Sequence, residues 1–289
     1  MNFKEFCQLD EALITFGNKA YPKFNQVVIL AGGAGSGKGF ISGKLMGIEG
    51  QTLDVDHLKE LAMASIKLAS RIKDETGHDI NTFDMKKPEN VSTIHSLLSG
   101  KGGIIKANEK RIFTSVALAA PDRKPNLIFD VTLKDMKKVV QISKQVEMLG
   151  YDKGNVHLVW VMNDINVAMK QNKERSRVVP EDILVSTHEG AHMTIKKLLA
   201  MGEGTRSYLD GDMWIAFNKV GVDTDVVKSI AGGMYIKKAN AIKIKQKGKA
   251  PTRATELEAE IVQKIANYAP NSETWSIVLG KKDIPDSSK

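Results

Sequence analysis

The residues best suited to do chemistry lie between Val27 and Leu45, in the stretch VVILAGGAGSGKGFISGKL. Its glycines at 32, 33, 35 and 37 lack the Cβ atoms that would keep a backbone away from an anion, so successive N–H groups can point at phosphate oxygens. Lys38 adds a positive charge beside them. The stretch therefore predicts a phosphate-binding loop between a buried strand and a helix, against the simpler alternative of a glycine-rich turn without a ligand.

The pattern G-x-x-x-x-G-K-[ST] is met at Gly32, Gly37 and Lys38, but Gly39 replaces the final Ser or Thr. Because that hydroxyl usually binds Mg²⁺, the metal would be held by water, by Ser42 or by a carboxylate. The wording GSGKG also resembles the loop of adenylate kinases, which have glycine after the lysine. ATP and Mg²⁺ are the predicted cofactors. The predicted nucleotide-binding residues are Gly32, Gly33, Ala34, Gly35, Ser36, Gly37, Lys38, Gly39 and Phe40.

Three aspartates stand at the ends of predicted strands. Asp54 and Asp56 close a strand over 52–55, and Asp130 lies in the strand NLIFDVT over 126–132. At the carboxyl end of a parallel sheet a carboxylate can accept a proton from a hydroxyl or hold Mg²⁺. Asp56 is the predicted general base, Asp54 a predicted substrate contact, and Asp130 a predicted metal or substrate ligand. The alternative is that Asp56 and Asp130 simply cap the helices that follow.

A basic segment follows the strand predicted over 156–162. It spans residues 163–180 and includes Arg175 and Arg177. In kinases of this layout such a segment closes over the transferring phosphoryl group, and the planar guanidinium of arginine pairs with two phosphate oxygens at once. Both arginines are therefore predicted catalytic residues. A solvated helix face with Glu174 as the ionic partner is the alternative.

The elements that must position these residues alternate between strand and helix. Such alternation predicts an α/β, three-layer fold with a parallel sheet and helices on both faces, as in phosphate-loop NTPases. The predicted parts are an N-terminal helix within 1–24, a kinase core over 25–204 with a helical substrate or lid insertion at 58–120, a small α+β extension over 205–280, and a disordered tail over 281–289.

Composition narrows the class of protein. The chain has 289 residues, 42% of them hydrophobic, a formal net charge of +8 and a single cysteine, Cys7. The hydrophobic fraction is typical of a globular protein. A single cysteine excludes a disulfide scaffold and suits a reducing cytoplasm. The positive net charge favours anionic partners such as nucleotides or nucleic acid. No apolar run approaches the roughly 18 residues of a membrane span. We expect a cytoplasmic protein without a membrane; the oligomeric state is not predicted.

Taken together, the loop at 32–39, Asp56, FDVTLK and NKERSRVVP resemble the zeta-toxin and polynucleotide-kinase group of phosphate-loop kinases, over about residues 25–200. The resemblance implies that Lys38 binds donor phosphates, that Asp56 is the general base, and that Arg175 and Arg177 are lid arginines. The residues that match a Glu-x-Thr-x-Arg pattern gripping acceptor and donor are Asp130, Thr132 and Lys134. The sequence departs from the group at three positions: Gly39 replaces a Ser or Thr, Asp130 replaces the glutamate, and Lys134 replaces the arginine. The wording GGAGSGKGF also resembles kinases encoded by large tailed phages, which would place the protein in the host cytoplasm.

The leading hypothesis is an ATP/Mg²⁺-dependent kinase that phosphorylates a hydroxyl on a small metabolite, a nucleotide or a nucleic acid. A nucleoside monophosphate kinase is the second. The third is a non-catalytic nucleotide switch, or a protein that binds nucleic acid through the basic segment Lys237 to Lys249.

Overall fold

The structure is a computed structural model. The residues that it describes are 14–19, 21–100, 103–163, 165–174, 177–218, 226–228, 234–236 and 241–252. Arg175, the predicted tail over 281–289 and most of the predicted N-terminal helix therefore lie outside the described residues. Within them, no helix is both long enough and apolar enough to cross a membrane.

A six-stranded sheet forms the centre of the described chain, in the spatial order β2-β3-β1-β4-β5-β8. Its strands are β1 (Val27–Ala31), β2 (Gln51–Asp54), β3 (Leu127–Val131), β4 (Val156–Met162), β5 (Met213–Phe217) and β8 (Ala241–Lys245). The first five run parallel, and β8 pairs antiparallel with β5 at the edge. Two short strands, β6 (Val226–Lys228) and β7 (Met234–Ile236), form a separate antiparallel pair.

Helices connect the parallel strands. They are α1 (Lys38–Lys44), α2 (Val55–Ala64), α3 (Ile66–Thr76), α4 (Pro88–Ser99), α5 (Ile104–Ala117), α6 (Met136–Met148), α7 (Ile165–Glu174) and α8 (Glu181–Ala200). Short 3₁₀ turns occur at Ile80–Thr82, Lys153–Asn155 and Gly202–Ser207. Helices α2 to α5 make up the predicted insertion, and most of them pack around a cluster of their own that includes Ile72, Ile80 and Ile94.

Strand β1 explains why the sheet has helices on both faces. All five of its residues are buried. Val27 and Ile29 belong to the apolar cluster that contains Val139 of α6 and Ile195 of α8. Val28 and Leu30 alternate to the other face and belong to the cluster that contains Ile41 of α1. The predicted three-layer α/β fold with a parallel sheet and a helical insertion is confirmed.

Two details differ from the prediction. Strand β5, MWIAF, was expected in the C-terminal extension, but it is the fifth parallel strand and pairs with β4 from Leu158↔Met213 onward. Its residues are buried on both faces, so it can only be an interior strand, and residue 204 is not a boundary of the sheet. The described end of the predicted N-terminal helix is not helical, because Ile14 and Phe16 form β-bridges and pack into the same cluster as Ile41.

Asn126 ties together the segments that enter three strands. Its side chain is buried; Nδ2 donates to the carbonyl oxygens of Pro22 at 2.7 Å and Glu49 at 2.9 Å, and Oδ1 accepts from the Gln26 amide at 2.9 Å. We expect Asn126→Ala to lower the free energy of unfolding by about 3 kcal/mol, because it leaves buried backbone groups without partners. Urea denaturation measures this loss. The exposed Asn81→Ala is the control and should stay within about 0.5 kcal/mol of wild type; equal losses would contradict the assignment.

Candidate functional site

The glycine-rich loop lies between β1 and α1, at the carboxyl edge of the parallel strands, where open α/β sheets bind ligands. Two of its glycines adopt left-handed backbone conformations, Gly35 at φ +72° and Gly37 at φ +88°. A Cβ atom added at Gly33 would overlap the His188 ring, and one added at Gly37 would overlap the Asn218 side chain. Both conformation and close packing therefore require glycine here.

Four polar side chains from elsewhere in the fold hold the loop in shape. Thr187 Oγ1 accepts from the Ala34 amide at 3.1 Å, and His188 Nε2 bonds the Ala34 carbonyl oxygen at 2.9 Å. Asn163 Nδ2 donates to Gly35 O at 3.1 Å, and Asn218 Nδ2 donates to Ser36 O at 2.9 Å. These residues were missed by the sequence analysis. The only available signal was that Asn163 and Asn218 each follow a buried strand directly.

The loop amides divide into two groups. The amide of Ala34 is taken by Thr187, and that of Ser36 bonds Gly33 O at 3.2 Å within the loop. The amides of Gly35, Gly37 and Lys38 meet no acceptor among the described residues, and the first turn of α1 continues this row, since first-turn amides have no partner within a helix. The amides of Gly35, Gly37 and Lys38, followed by those of the first turn of the helix, are thus donors open to an anion.

Lys38 joins the loop to strand β3. Its Nζ donates to Gly32 O at 3.0 Å and lies 3.5 Å from Asp130 Oδ1. The register Leu30↔Asp130 between β1 and β3 brings the carboxylate to this position. Burial raises the pKa of Asp130 to about 6, although Lys38 lowers it, and the charges of Asp54 and Asp56 raise it further.

Asp56 lies in the first turn of α2, where two cations contact it. The Arg177 guanidinium donates to both carboxylate oxygens, and Lys59 Nζ lies 3.2 Å from Oδ1. Burial alone would raise the pKa of Asp56, but the hydrogen bonds and charge of Arg177, helped by Lys59, hold it well below its usual range. The N-cap is Asp54 instead, because its Oδ1 accepts from the Asp56 amide at 2.8 Å. The alternative that Asp56 caps the helix is therefore wrong.

One cavity of about 520 Å³ joins these groups, within the roughly 300–1,000 Å³ usual for small-molecule sites. The cavity is lined by eleven of the site residues that were predicted from the sequence: Ala34, Gly35, Ser36, Gly37, Lys38, Gly39, Phe40, Asp54, Asp56, Asp130 and Arg177. His57, Glu60, Gln171 and Val179 also line it and were not predicted. The other two predicted loop residues, Gly32 and Gly33, are buried and do not line the cavity. Their carbonyl oxygens lie near Lys38 Nζ.

Two predicted substrate residues lie elsewhere. Thr132 and Lys134 follow β3 but do not line this cavity, and Lys134 Nζ reaches Ser186 Oγ of α8 at 3.5 Å. Between them Leu133 has φ +52°, a conformation that is uncommon for leucine and turns the chain away from the strand direction. Their role in substrate binding stays a prediction, as does that of Arg175.

The donor set fits a nucleotide with Mg²⁺. Open amides and a lysine suit a polyphosphate. Among the described residues no three acidic, histidine or cysteine side chains form a ready-made metal site, but Mg²⁺ in nucleotide sites is usually bound by one or two carboxylates, waters and substrate phosphates. Asp130 is such a carboxylate. Its pKa is raised by burial first and then by the charges of Asp54 and Asp56, and a divalent cation would offset those charges. Ser42 is less suitable, because its hydroxyl donates to Gly39 O at 3.2 Å.

Fold and loop together define the class. A parallel sheet in the order β2-β3-β1-β4-β5, with the glycine-rich loop between a central β1 and α1, is the phosphate-loop NTPase fold.

Comparison with known proteins gave no match to a protein-family model and none to a curated protein. Among solved structures, the chain is similar to the AvrRxo1-ORF1:AvrRxo1-ORF2 complex with sulphate ions, at 11% identity and a TM-score of 0.46, over 91% of this chain and 77% of that one. It is also similar to the AvrRxo1-ORF1:-ORF2 structure with ATP, at 12% identity and a TM-score of 0.45, over 99% of this chain and 85% of that one. A third similar structure is the PezAT chromosomal toxin-antitoxin system of Streptococcus pneumoniae, at 14% identity and a TM-score of 0.41, over 69% of this chain and 70% of that one. Scores this low transfer no activity or partner to this chain, and none of these matches supports a phage origin.

The raised pKa of Asp130 makes stability depend on pH. The folded protein holds this proton up to about pH 6, whereas an unfolded chain releases it near 3.8, so the free energy of unfolding falls as pH rises through this window. Without nucleotide or divalent ions, we expect Asp130→Asn to stabilise the protein relative to wild type by up to about 3 kcal/mol at pH 7.5 and by much less at pH 4.

Urea denaturation of both proteins at the two pH values measures this difference. Asp122→Asn is the control, because Asp122 is exposed and should give the same difference at both pH values. An Asp130→Asn effect that is equal at pH 4 and pH 7.5 would show that the carboxyl titrates normally.

Proposed function

We propose that this chain is an ATP-dependent kinase that transfers the γ-phosphoryl group to a hydroxyl, with a site arranged as in the zeta-toxin and polynucleotide-kinase group. The observation that carries the proposal is one cavity that contains both the open amides with Lys38 and the Asp56–Arg177 pair. A phosphate-binding wall and a carboxylate–arginine pair in one cavity are the parts that phosphoryl transfer needs.

The loop binds the donor. Phosphate oxygens of ATP accept from the amides that begin at Gly35, and the Lys38 ammonium, now on Gly32 O, moves onto the terminal phosphates. Asp130 would hold Mg²⁺, and the charge of that ion would neutralise phosphate oxygens. Thr187, His188, Asn163 and Asn218 keep the loop in its binding conformation, so little ordering is left for the moment of binding.

The transfer step uses the Asp56–Arg177 pair. The acceptor hydroxyl gives its proton to Asp56 as its oxygen bonds to the γ-phosphorus, and the bond from that phosphorus to the bridging oxygen breaks to release ADP. While Arg177 donates to both Asp56 oxygens, the carboxylate is a weak base. Transfer of the guanidinium to the phosphoryl oxygens therefore does two things: it stabilises the transferring group and it raises the basicity of Asp56.

The acceptor class is a small metabolite, a nucleotide or a nucleic acid with a free hydroxyl. The insertion from α2 to α5 supplies part of the acceptor side, because His57 and Glu60 of α2 line the cavity. The backbone of the Arg177 segment also contacts the insertion, since the Val178 amide donates to Met85 O at 3.0 Å. An acceptor that contacts α2 would thus lie beside the arginine that must move.

Lys38→Ala tests donor binding. We expect ATP affinity to fall by about 10- to 100-fold, because a charge-assisted hydrogen bond contributes about 1.5–3 kcal/mol. Isothermal titration calorimetry with MgATP measures the affinity, and Lys67→Ala, on the exposed surface of α3, is the matched control that should bind as wild type does. If Lys38→Ala binds MgATP normally, the loop is not the donor site.

Asp56→Asn tests the base. We expect ATP affinity within a few-fold of wild type but turnover lower by about 10²-fold or more, as for a lost general base. ADP release measures turnover with water, nucleoside monophosphates, hydroxyl-bearing metabolites and nucleic acid ends as acceptors, and the exposed Asp122→Asn is the control. Turnover confined to monophosphates would favour a monophosphate kinase. Binding of ATP without turnover of any acceptor in wild type would favour a nucleotide switch.

A further inference from the structure

Lys59 is a buried lysine that the proposed reaction has not yet used. It lies one turn after Asp56 on α2, its side chain is 7% exposed, and its Nζ lies 3.2 Å from Asp56 Oδ1. Resting on the proposed function, we propose that Lys59 is a positioning residue, the second cation that keeps Asp56 in place while Arg177 is on the phosphoryl group.

The burial of Lys59 calls for a reason. A lysine on a partly exposed helix normally extends its four-carbon stem so that the ammonium reaches water. The flanking Glu60 and Leu61 are exposed, so α2 has a solvated face, yet Lys59 points inward together with Ala62. Burial lowers the pKa of Lys59, and the charge of Asp56 partly restores it. Among the described residues Asp56 supplies its only hydrogen-bond acceptor, so this contact is what the buried ammonium gains.

The number of charges explains why two cations are present. With one carboxylate, one ammonium and one guanidinium, the cluster has an excess positive charge in the resting protein. When Arg177 leaves, Lys59 and Asp56 remain as a neutral pair. Without Lys59, the departure of Arg177 would leave the half-exposed Asp56 carboxylate near two others, Asp54 and Asp130, with no cation bonded to it.

Other charged groups surround the cluster but do not replace Lys59. Glu60 of α2 and Asp54 add negative charge near Arg177, and Lys38 is bonded to the loop and to Asp130. His95 of α4 lies within electrostatic reach of Lys59, Asp56 and Arg177, but burial and the two cations lower its pKa, so it is neutral near pH 7. Lys59 is therefore the described cation placed to stay on Asp56 during transfer.

The first experiment separates turnover from binding. The full-length chain carrying Lys59→Met, Lys59→Arg or the surface control Lys67→Met is assayed for ADP release from MgATP with water as the acceptor. We expect Lys59→Met to lower kcat about 10-fold or more with the KM for ATP within about twofold of wild type, because it removes a charge-assisted bond to the base and leaves the loop intact. Lys59→Arg should recover most of kcat, and Lys67→Met should match wild type. An unchanged kcat in Lys59→Met overturns the proposal, and so does an equal loss in Lys59→Arg.

The second experiment needs neither ATP nor turnover. Thermal unfolding at pH 7.5 is compared for Lys59→Met, Arg177→Met and the double variant. If either cation alone can compensate Asp56, the fall in Tm of the double variant exceeds the sum of the two single falls, and the excess disappears when Asp56→Asn is added. Additive falls overturn the proposal. Because this cycle is independent of nucleotide, a wild-type chain that binds no ATP would refute the proposed function while the cycle still reports on Lys59.

Discussion

Burial of β1 on both faces is the constraint on which the rest of the structure depends. Because its residues pack into one apolar cluster on each side, β1 is held between β3 and β4, and its carboxyl end has a single position. The loop must start there. The parallel register with β3 then brings Asp130 beside Leu30, which puts a carboxylate within 3.5 Å of the lysine at the start of α1.

Parallel pairing also explains why the loop is supported by residues distant in sequence. Asn163 and Asn218 follow β4 and β5, so they emerge at the same edge as the loop and reach its carbonyl groups. Helix α8 reaches the same edge and binds both backbone polar groups of one loop residue, with Thr187 on the Ala34 N–H and His188 on the Ala34 carbonyl oxygen. A loop bonded in this way has little freedom left to lose when an anion binds.

Two aspartates in one cavity have opposite pKa shifts, and the cause lies in their partners. Burial raises the pKa of both carboxyls. Asp56 has a bidentate arginine and a lysine, which outweigh burial, whereas Asp130 has one lysine at 3.5 Å and two other carboxylates nearby. The same residue type thus gives a carboxyl whose pKa is held low on α2 and one whose pKa is raised to about 6 on β3. The first is suited to proton transfer after Arg177 leaves, and the second to a cation.

The sequence by itself determined the elements whose signal is local. The run VVILA, the glycines with Lys38, and the alternation of strands and helices were enough to predict the sheet, the loop and the edge at which Asp54, Asp56 and Asp130 meet. The helix predicted over Ile14 and Phe16 is wrong there, and β5, although predicted as a strand, was assigned to the extension, because these residues take their place from the sheet against which they pack.

Only the tertiary structure decided which side chains contact one another. The pairing of Asp56 with Arg177 joins residues 121 positions apart, and the bond from His188 to Ala34 joins residues 154 apart. No pattern in a single chain reports such contacts, since each side chain would look the same on a solvated surface. The inward turn of Lys59 is the clearest case: its charge predicts exposure, and only the contact of its ammonium with the Asp56 carboxylate explains why it lies inside.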